Sequence, residues 1–449
     1  MRLAGRAVGR RAGRLTRPGD LVLILAGKGH NGDDARFAGE SEHLLGRQVL
    51  IIPVLDPESA MAEIATQLQR RPALIVDGLF GIGLNRPLSA PWLRLIRAIN
   101  ESGAPVLAVD VPSGLNADTG EPMNDAIQAA HTVTFGAVKE GMLKTGAATF
   151  IGSLEVANDI GLIPCPFKTE INYVVSYDFA QFPPLRPMNG HKGTFGHLAV
   201  IAGSLGYHGA SVLAARGAQR AQPGLITLFT AENVYHPVAG QLQSVMVQPW
   251  KPEMTLPQSC TAVAIGPGLA STDLPRYIQE LACRLWKESP LAVIVDASAL
   301  EWLPQGRCPD KSVRVMTPHP GEAARLLKTS TTEIQNDRPK AVRQLSGQWG
   351  DCFVVLKGRQ TITGRRGDAL YVNSSGNPFL AQGGSGDLLT GYLGGLLAQP
   401  ALQDDPGKTI RYAVWQHGAT ADALLTTRTN WTVEDMAGAL GNYPRVVPS

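Results

Sequence analysis

Short runs of β-branched and aliphatic residues alternate along this chain with segments whose apolar residues fall at helical spacing. LVLILA (Leu21 to Ala26), VLIIPVL (Val49 to Leu55), ALIVDGLF (Ala73 to Phe80), VLAVDVPSG (Val106 to Gly114) and HTVTFG (His131 to Gly136) are too continuously apolar for half-exposed strands. They predict strands covered on both faces, hence a parallel sheet with flanking helices. After Ile160 the pattern lapses into GLIPCPFKTE and FPPLRP, whose prolines predict a junction over residues 166–186. A second alternation follows in HLAVIAG, LITLFT, AVAIGPG, AVIVDAS, VRVMTPH and CFVVLKG. The expected fold class is α/β, with two tandem three-layer α/β/α domains over residues 1–165 and 187–449.

The 449 residues allow two real cores, and a net charge of +3 is too small to suggest a nucleic-acid protein. Cys165, Cys260, Cys283, Cys308 and Cys352 are scattered, odd in number and without a Cys-x-x-Cys pair. That pattern favours a reducing, cytoplasmic setting over a disulfide framework or a zinc site. No apolar run approaches the length of a bilayer span, so no membrane partner is expected. The first seventeen residues hold six arginines, with Leu3, Ala4, Val8, Ala12 and Leu15 roughly on one helical face. An amphipathic surface helix is expected there, a cleaved address being the alternative.

The densest chemical signal is NPFLAQGGSGDLLTG (Asn377 to Gly391). Gly383, Gly384 and Gly386 let backbone N–H groups converge on one point, and Leu388, Leu389, Tyr392, Leu393, Leu396 and Leu397 mark a buried helix beginning there. Asp387 then stands at that helix's N-terminus, either as an ordinary cap or as a group that takes a proton from an attacking hydroxyl. His319, between two prolines, reads equally as a structural residue. In the first half, a strand runs into Gly27-x-Gly29-x-x-Gly32, the spacing of a dinucleotide-binding turn. Asp77, Asp110 and Lys139 follow three further strands, where ligands of open parallel sheets gather, although single acids at strand ends are often capping residues. No Gly-x-x-x-x-Gly-Lys-Ser/Thr occurs, which excludes a P-loop enzyme.

GGSGD with its Leu-rich helix resembles the anion hole and catalytic Asp of the ribokinase-like superfamily. HKGTFGHLAVIAGSLGYHGASVLAARGA (His191 to Ala218), AIGPGL (Ala264 to Leu269), TPHPGEAARLL (Thr317 to Leu327) and VVLKGRQT (Val354 to Thr361) narrow the resemblance to the ADP/ATP-dependent NAD(P)H-hydrate dehydratases. It implies a ribokinase-like second domain, with Lys357, Gly358, Arg359, Gln360 and Thr361 contacting the adenine nucleotide and Gly386 offering its N–H to the phosphates. Ala210, Gly268, His319 and Asp387 would contact the hydrate, NADHX or NADPHX. Asp387 would be the proton acceptor, ADP the co-substrate and Mg2+ the phosphate-bound ion.

The segments around Gly27, Asp77, Asp110 and Lys139 are similar to the NAD(P)H-hydrate epimerase domain, which implies a Rossmann-like first domain. By that resemblance Asn31, Asp77 and Ser113 would ligate a potassium ion. His30, Asn31, Gly32, Asp33 and Asp34, the loop of Gly81, Ile82, Gly83, Leu84, Asn85, Arg86 and Pro87, and Asp110 would hold the hydrate. Asp110 and Lys139 would handle protons, and a homo-oligomer is expected.

Two departures bear on the first half. The resembled loop reads Gly-x-Gly-Asn-Asn-Gly-Gly-Asp-Gly where this chain has GKGHNGDDA, so Asp33 and Ala35 stand in place of glycines. Asp33 is expected to repel phosphates and to deny its backbone a positive φ, impairing epimerisation. The chain also begins inside what the resemblance implies is an early helix, so a leading helix is expected to be absent. The competing functions are a ribokinase-like kinase of a small alcohol and a first domain that only binds nucleotide or dimerises.

Overall fold

The computed structural model describes residues 1–163, 166–309 and 312–442, and Cys165 lies outside them. Two units divide the chain, Met1–Lys168 and Thr169–Ser449.

The first unit runs α1 (Arg2–Leu15), β1 (Leu21–Ala26), α2 (His30–Gly39), β2 (Gln48–Pro53), α3 (Pro57–Gln69), β3 (Leu74–Gly78), α4 (Ala90–Glu101), β4 (Val106–Val109), β5 (His131–Phe135), α5 (Ala148–Ile151) and β6 (Ser153–Ala157). Its six strands form a parallel sheet in the order β2-β1-β3-β4-β5-β6. Alternate residues of β1 serve opposite faces, as strand geometry requires. Leu23 and Leu25 pack with Ile64 of α3 and Leu95, Ile96 and Ile99 of α4. Val22 and Ile24 pack with Ala7, Val8 and Ala12 of α1 and Ala35 and Ala38 of α2. Both faces are thus covered, which explains the unbroken apolar runs.

The Arg-rich start is the expected amphipathic helix, with Ala4, Val8 and Ala12 buried, but Leu3, expected on the same face, is 48% exposed. A Cβ on Gly5 would lie 2.4 Å from Phe37 Cβ, and one on Gly9 2.6 Å from Ser41 Cβ, so these glycines set the closeness of α1 and α2. Arg6 and Arg10 reach out to Glu42 and Asp159 at 2.5 and 3.7 Å.

The second unit begins with β7 (Ile171–Val174), then β8 (His197–Ile201), α6 (His208–Ala221), β9 (Leu225–Thr230), α7 (Tyr235–Ala239), β10 (Met246–Pro249), β11 (Ala262–Ile265), α8 (Arg276–Glu288), β12 (Ala292–Val295) and β13 (Arg314–Met316). It continues through α9 (Pro320–Leu327), α10 (Thr331–Asn336), α11 (Arg338–Gln348), β14 (Phe353–Leu356), β15 (Ile362–Gly364) and β16 (Leu370–Asn373). It closes with α12 (Ser385–Leu397), α13 (Pro400–Gln403), α14 (Pro406–Leu425) and α15 (Val433–Ala439). The sheet order is β10-β9-β8-β11-β12-β13-β14-β15-β16-β7. All pairs are parallel except those of β15 with β14 and with β16.

The junction expected over residues 166–186 is narrower in the structure. β7 adds to β16 in parallel, and Leu370 N–H donates to Glu170 O at 2.8 Å. Phe179 is buried with its ring 5.4 Å from those of Tyr412 and Trp415. The strand residues INYV satisfy the backbone of β16, which otherwise would be an open edge. The prolines mark the turns beyond that strand.

α12 packs on α6 through glycines that admit no side chain. A Cβ on Gly391 would sit 1.8 Å from Ala214 O, and one on Gly217 2.1 Å from Leu388 O. Gly391→Ala should therefore destabilise the second unit by about 1–3 kcal/mol, the usual cost of overpacking. Gly438→Ala, where a Cβ meets nothing within 4 Å, is the control and should be close to neutral. Urea unfolding of both variants checks this, and equal midpoints would refute it.

Candidate active sites

In the first sheet the chain leaves β1 toward β2 on one side and returns to β3 on the other, so the crevice between β1 and β3 is the topological switch point. The turn after β1 is shaped by steric necessity. A Cβ on Gly27 would lie 2.1 Å from Leu79 O, one on Gly32 would lie 1.9 Å from Gly27 O, and Gly29 takes φ 100°. A cleft of about 650 Å³ opens there. His30, Asn31, Asp34, the whole Gly81 to Pro87 loop and Asp110, all expected to hold the hydrate, line it. Gly32 and Asp33 are not among its lining residues, Gly32 being spent on the close approach to Gly27. Lys28, Phe80 and Trp92 also line the cleft and went unforeseen; the two rings meet edge-on at 4.6 Å.

Asp110 is held in a left-handed backbone conformation, φ 62°, at the end of β4. Its Oδ1 accepts from Thr134 Oγ1 and Phe135 N–H, both at 3.0 Å, and from the Lys139 ammonium. Lys139 also donates to Thr134 Oγ1 and Phe135 O, at 2.8 and 3.0 Å, so it stands behind Asp110. Asp34 is buried with its Oδ1 unpartnered, and burial pushes its carboxyl up to about 6.

Asn31, Asp77 and Ser113 meet around the backbone of Phe80. Ser113 donates from Oγ and N to the Asp77 carboxylate at 2.6 and 2.8 Å, Phe80 N–H donates to Ser113 Oγ, and Asn31 donates to Phe80 O. Asp77 is fully buried, has no basic partner among the described residues, and burial raises it to about 6. A buried carboxylate beside an amide and a hydroxyl oxygen fits a hard monovalent cation.

The positive φ that Asp33 and Ala35 were expected to deny is not called for by this geometry. Both lie within α2 at helical φ, so no left-handed backbone is denied to them. Arg36 pairs with Asp33 at 2.6 Å, and the neighbouring guanidinium offsets the charge that alone would repel phosphate. Ala35 is buried, filling the space above Gly78, where an added Cβ would come within 2.4 Å of its own.

In the second sheet the chain reverses between β8 and β11. The two loops there are tied by Gly203 N–H to Pro267 O at 2.9 Å and Ser204 Oγ to Gly268 O at 2.7 Å. Gly268, φ 65°, packs on α6, and a Cβ on it would lie 2.9 Å from that of Ala210. Gly384 at φ 92° turns the chain into α12, placing Gly386 and Asp387 in the first turn. Beneath them lies a charge cluster that the motifs alone do not reveal. The Lys357 ammonium is 2.7 Å from the fully buried Asp296 and 3.9 Å from Glu322, and Asp296 also accepts from Thr390 Oγ1 at 2.7 Å. A Cβ on Gly386 would be 3.4 Å from Lys357 Nζ. Burial opposes charge on Asp296, but Lys357 and the donating hydroxyls hold it below the usual carboxylate range.

Asp387 makes no side-chain cap bond. Burial, then the nearby Asp296, pushes its carboxyl up to about 6, while Lys357 restrains the rise. A half-buried carboxylate poised near neutrality is a candidate base. His319 caps α9: its Nδ1 accepts from Gly321 and Glu322 N–H at 3.0 and 3.3 Å, and Glu322 accepts from His319 N–H at 2.7 Å. That bond fixes the tautomer, leaving Nε2 as the donor. The Lys357 to Thr361 loop is gathered by Arg338, a residue no motif flagged. Buried His417 holds Ser385 O at 3.0 Å, and burial lowers it to about 4, so it is neutral.

Residues 198–439 match the sequence model of the NAD(P)H-hydrate dehydratase family, and residues 54–141 match that of the YjeF-related protein N-terminus. The bifunctional NAD(P)H-hydrate repair enzyme of Gloeobacter violaceus is 33% identical over 94% of this chain and 88% of its own. That of Coxiella burnetii is 34% identical over 84% of this chain and 81% of its own. The chain belongs to the bifunctional NAD(P)H-hydrate repair enzyme family. The second unit of this family member also resembles the crystal structure of the ADP/ATP-dependent NAD(P)H-hydrate dehydratase of Bacillus subtilis co-crystallised with ATP and Mg2+. The TM-score is 0.54 at 29% identity, over 60% of this chain and 96% of that one.

The electrostatics of this repair-family site give a signed expectation. Lys357→Met leaves Asp296 buried without its cation and should cost about 3–5 kcal/mol of stability. It should also raise the pH at which Asp387 ionises, because Lys357 favours the charged form. Carboxyl-carbon NMR titration measures that pH, and an unchanged or lowered value would contradict the arrangement.

Proposed function

We propose that this chain repairs hydrated nicotinamide nucleotides at two separate sites: the second unit dehydrates the S form of NADHX and NADPHX with ADP, and the first interconverts R and S. The observation that carries the first assignment is Asp387, half-buried and uncapped at a glycine turn, beside a buried Lys357 and below a helix N-terminus. Asp387 takes the proton of the C6 hydroxyl as that oxygen attacks the β-phosphorus of ADP and AMP leaves. The ring nitrogen lone pair then expels phosphate, which carries the oxygen away, and loss of a C5 proton restores the C5–C6 double bond of NADH or NADPH. The Gly386 N–H and the α12 terminus stabilise the transferring phosphoryl group, and the Lys357 to Thr361 loop holds the nucleotide. Magnesium, arriving with the phosphates, supplies further charge neutralisation. No cluster of three or more His, Cys, Asp or Glu side chains that could hold a metal occurs among the described residues.

In the first unit, the cleft at the switch point takes the hydrate, and Asp110 with Lys139 handles its protons. Asn31, Asp77 and Ser113 would hold potassium, whose charge would offset the buried Asp77. Because dehydration consumes only S, the epimerase lets the whole damaged pool drain. No described helix is long and apolar enough to cross a membrane. Cys260, Cys283, Cys308 and Cys352 are free thiols, which supports work in a reducing compartment such as the cytoplasm.

Paired variants of the full chain separate the two sites. Asp387→Asn should slow ADP-dependent dehydration by about 10²- to 10⁴-fold while ADP still binds and R/S exchange continues. Asp110→Asn should abolish exchange yet leave dehydration of pure S hydrate intact. Chiral chromatography and NADH absorbance read both, and more than half of wild-type dehydration in Asp387→Asn would remove its assigned role. The wild-type dehydration rate should fall as pH drops through about 6, where Asp387 gains its proton. Asp33→Gly should change exchange by less than about fivefold, because the half-exposed pair with Arg36 is worth no more than roughly 1 kcal/mol.

A further inference from the structure

Within the Lys357 to Thr361 loop, Thr361 Oγ1 donates to Gly358 O at 2.9 Å, and Lys357 at its start is tied to Asp296. What shapes the loop's backbone comes from the first turn of α11, where Arg338 buries its guanidinium against it. Nη2 donates to Leu356 O at 2.9 Å and to Lys357 O at 3.3 Å; Nη1 donates to Arg359 O and, at 3.3 Å, to Gln360 O. No carboxylate pairs with it among the described residues; its two Nη groups bond only to carbonyls, and its buried Nε has no partner. Burial lowers this guanidinium only to about 10, and it stays charged at neutral pH.

A trans peptide places each carbonyl opposite the next residue's N–H. With the carbonyls of Lys357, Arg359 and Gln360 drawn to one cation, the N–H groups of Gly358, Gln360 and Thr361 must turn away from it. The backbone pays in conformation, with Gly358 at φ 128° and Gln360 at φ 52°. Successive N–H groups turned to one side form a concavity suited to anions and to acceptor atoms. We propose that Arg338 is a positioning residue of the adenine-nucleotide site, a clamp that holds the Lys357 to Thr361 loop with its N–H groups facing the nucleotide. This rests on the assignment of that loop to nucleotide binding. Arg338 touches no substrate itself and acts only through the backbone it orients.

Arg338→Gln and Arg338→Lys in the full chain test it, with ADP and magnesium as the probe in calorimetry and in steady-state dehydration. The Gln variant should raise the ADP KM and Kd by roughly tenfold or more, since a neutral amide cannot hold four carbonyls. Lys keeps the charge but offers three donors without a planar fork, so its rise should be smaller. In both, kcat and the KM for S hydrate should stay within about threefold, a split that general loss of packing would not give. Should Gln prevent folding, the Lys variant carries the same comparison. Unchanged ADP affinity in the folded variants, or a fall in kcat with KM unchanged, overturns the clamp. Thr361→Ala distinguishes the failures. If it weakens ADP binding while Arg338 variants do not, only the clamp is wrong; if neither does, the nucleotide binds elsewhere.

Discussion

The buried contact between Lys357 and Asp296 is the constraint on which the second site turns. A carboxylate that is fully buried can remain charged only with a cation and donors in place. Lys357, Thr390 and Thr317 provide them from three different elements. Because those positions are the loop after β14, the helix α12 and the strand end after β13, the pair ties the helix that follows the glycine turn, the Lys357 to Thr361 loop and the sheet to one another. It also sets the field felt by Asp387, which Asp296 raises and Lys357 restrains. Removing either charge therefore changes the folded core and the proton acceptor together.

The first unit solves a related problem differently. Asp77 is as deeply buried as Asp296 but has no basic side chain beside it among the described residues, only the donors of Ser113 and the Leu79 N–H. The second unit thus supplies a counter-charge from its own side chains, and the first satisfies its carboxylate with hydrogen-bond donors alone. In both units the sheet reverses direction at one point, the place where two neighbouring loops diverge to opposite faces.

Much of this was legible in residue patterns. Runs such as LVLILA announced doubly covered strands, and GGSGD announced a helix start that invites an anion. The Gly81 to Pro87 loop and Asp110 do meet in one cleft. What sequence concealed were relations across long separations. Asp296 meets Lys357 over sixty-one positions, and Arg338 reaches the loop after β14 from the start of a helix. Neither residue stands out in its local pattern, since an Asp after a strand and an Arg after an Asp are commonplace. The partner of Asp33 was hidden in the same way: a single position shows its charge but not the Arg36 that pairs with it one helical turn on. β6, β7, β10, β15 and β16 also escaped notice, being short runs without the continuous apolar stretch that marked the others.

The strand β7 has a practical consequence for anyone dividing the molecule. Its residues precede the block matched by the dehydratase family, yet they complete that unit's sheet. A cut placed at the Pro-rich stretch near Pro187 would strip β16 of its neighbour and leave a bare hydrogen-bonding edge, the kind that recruits other chains into aggregates. A boundary just before Thr169 keeps the edge occupied. Here the boundary between the units is set by backbone pairing, and Pro183, Pro184 and Pro187, which look like a hinge, lie inside the second of them.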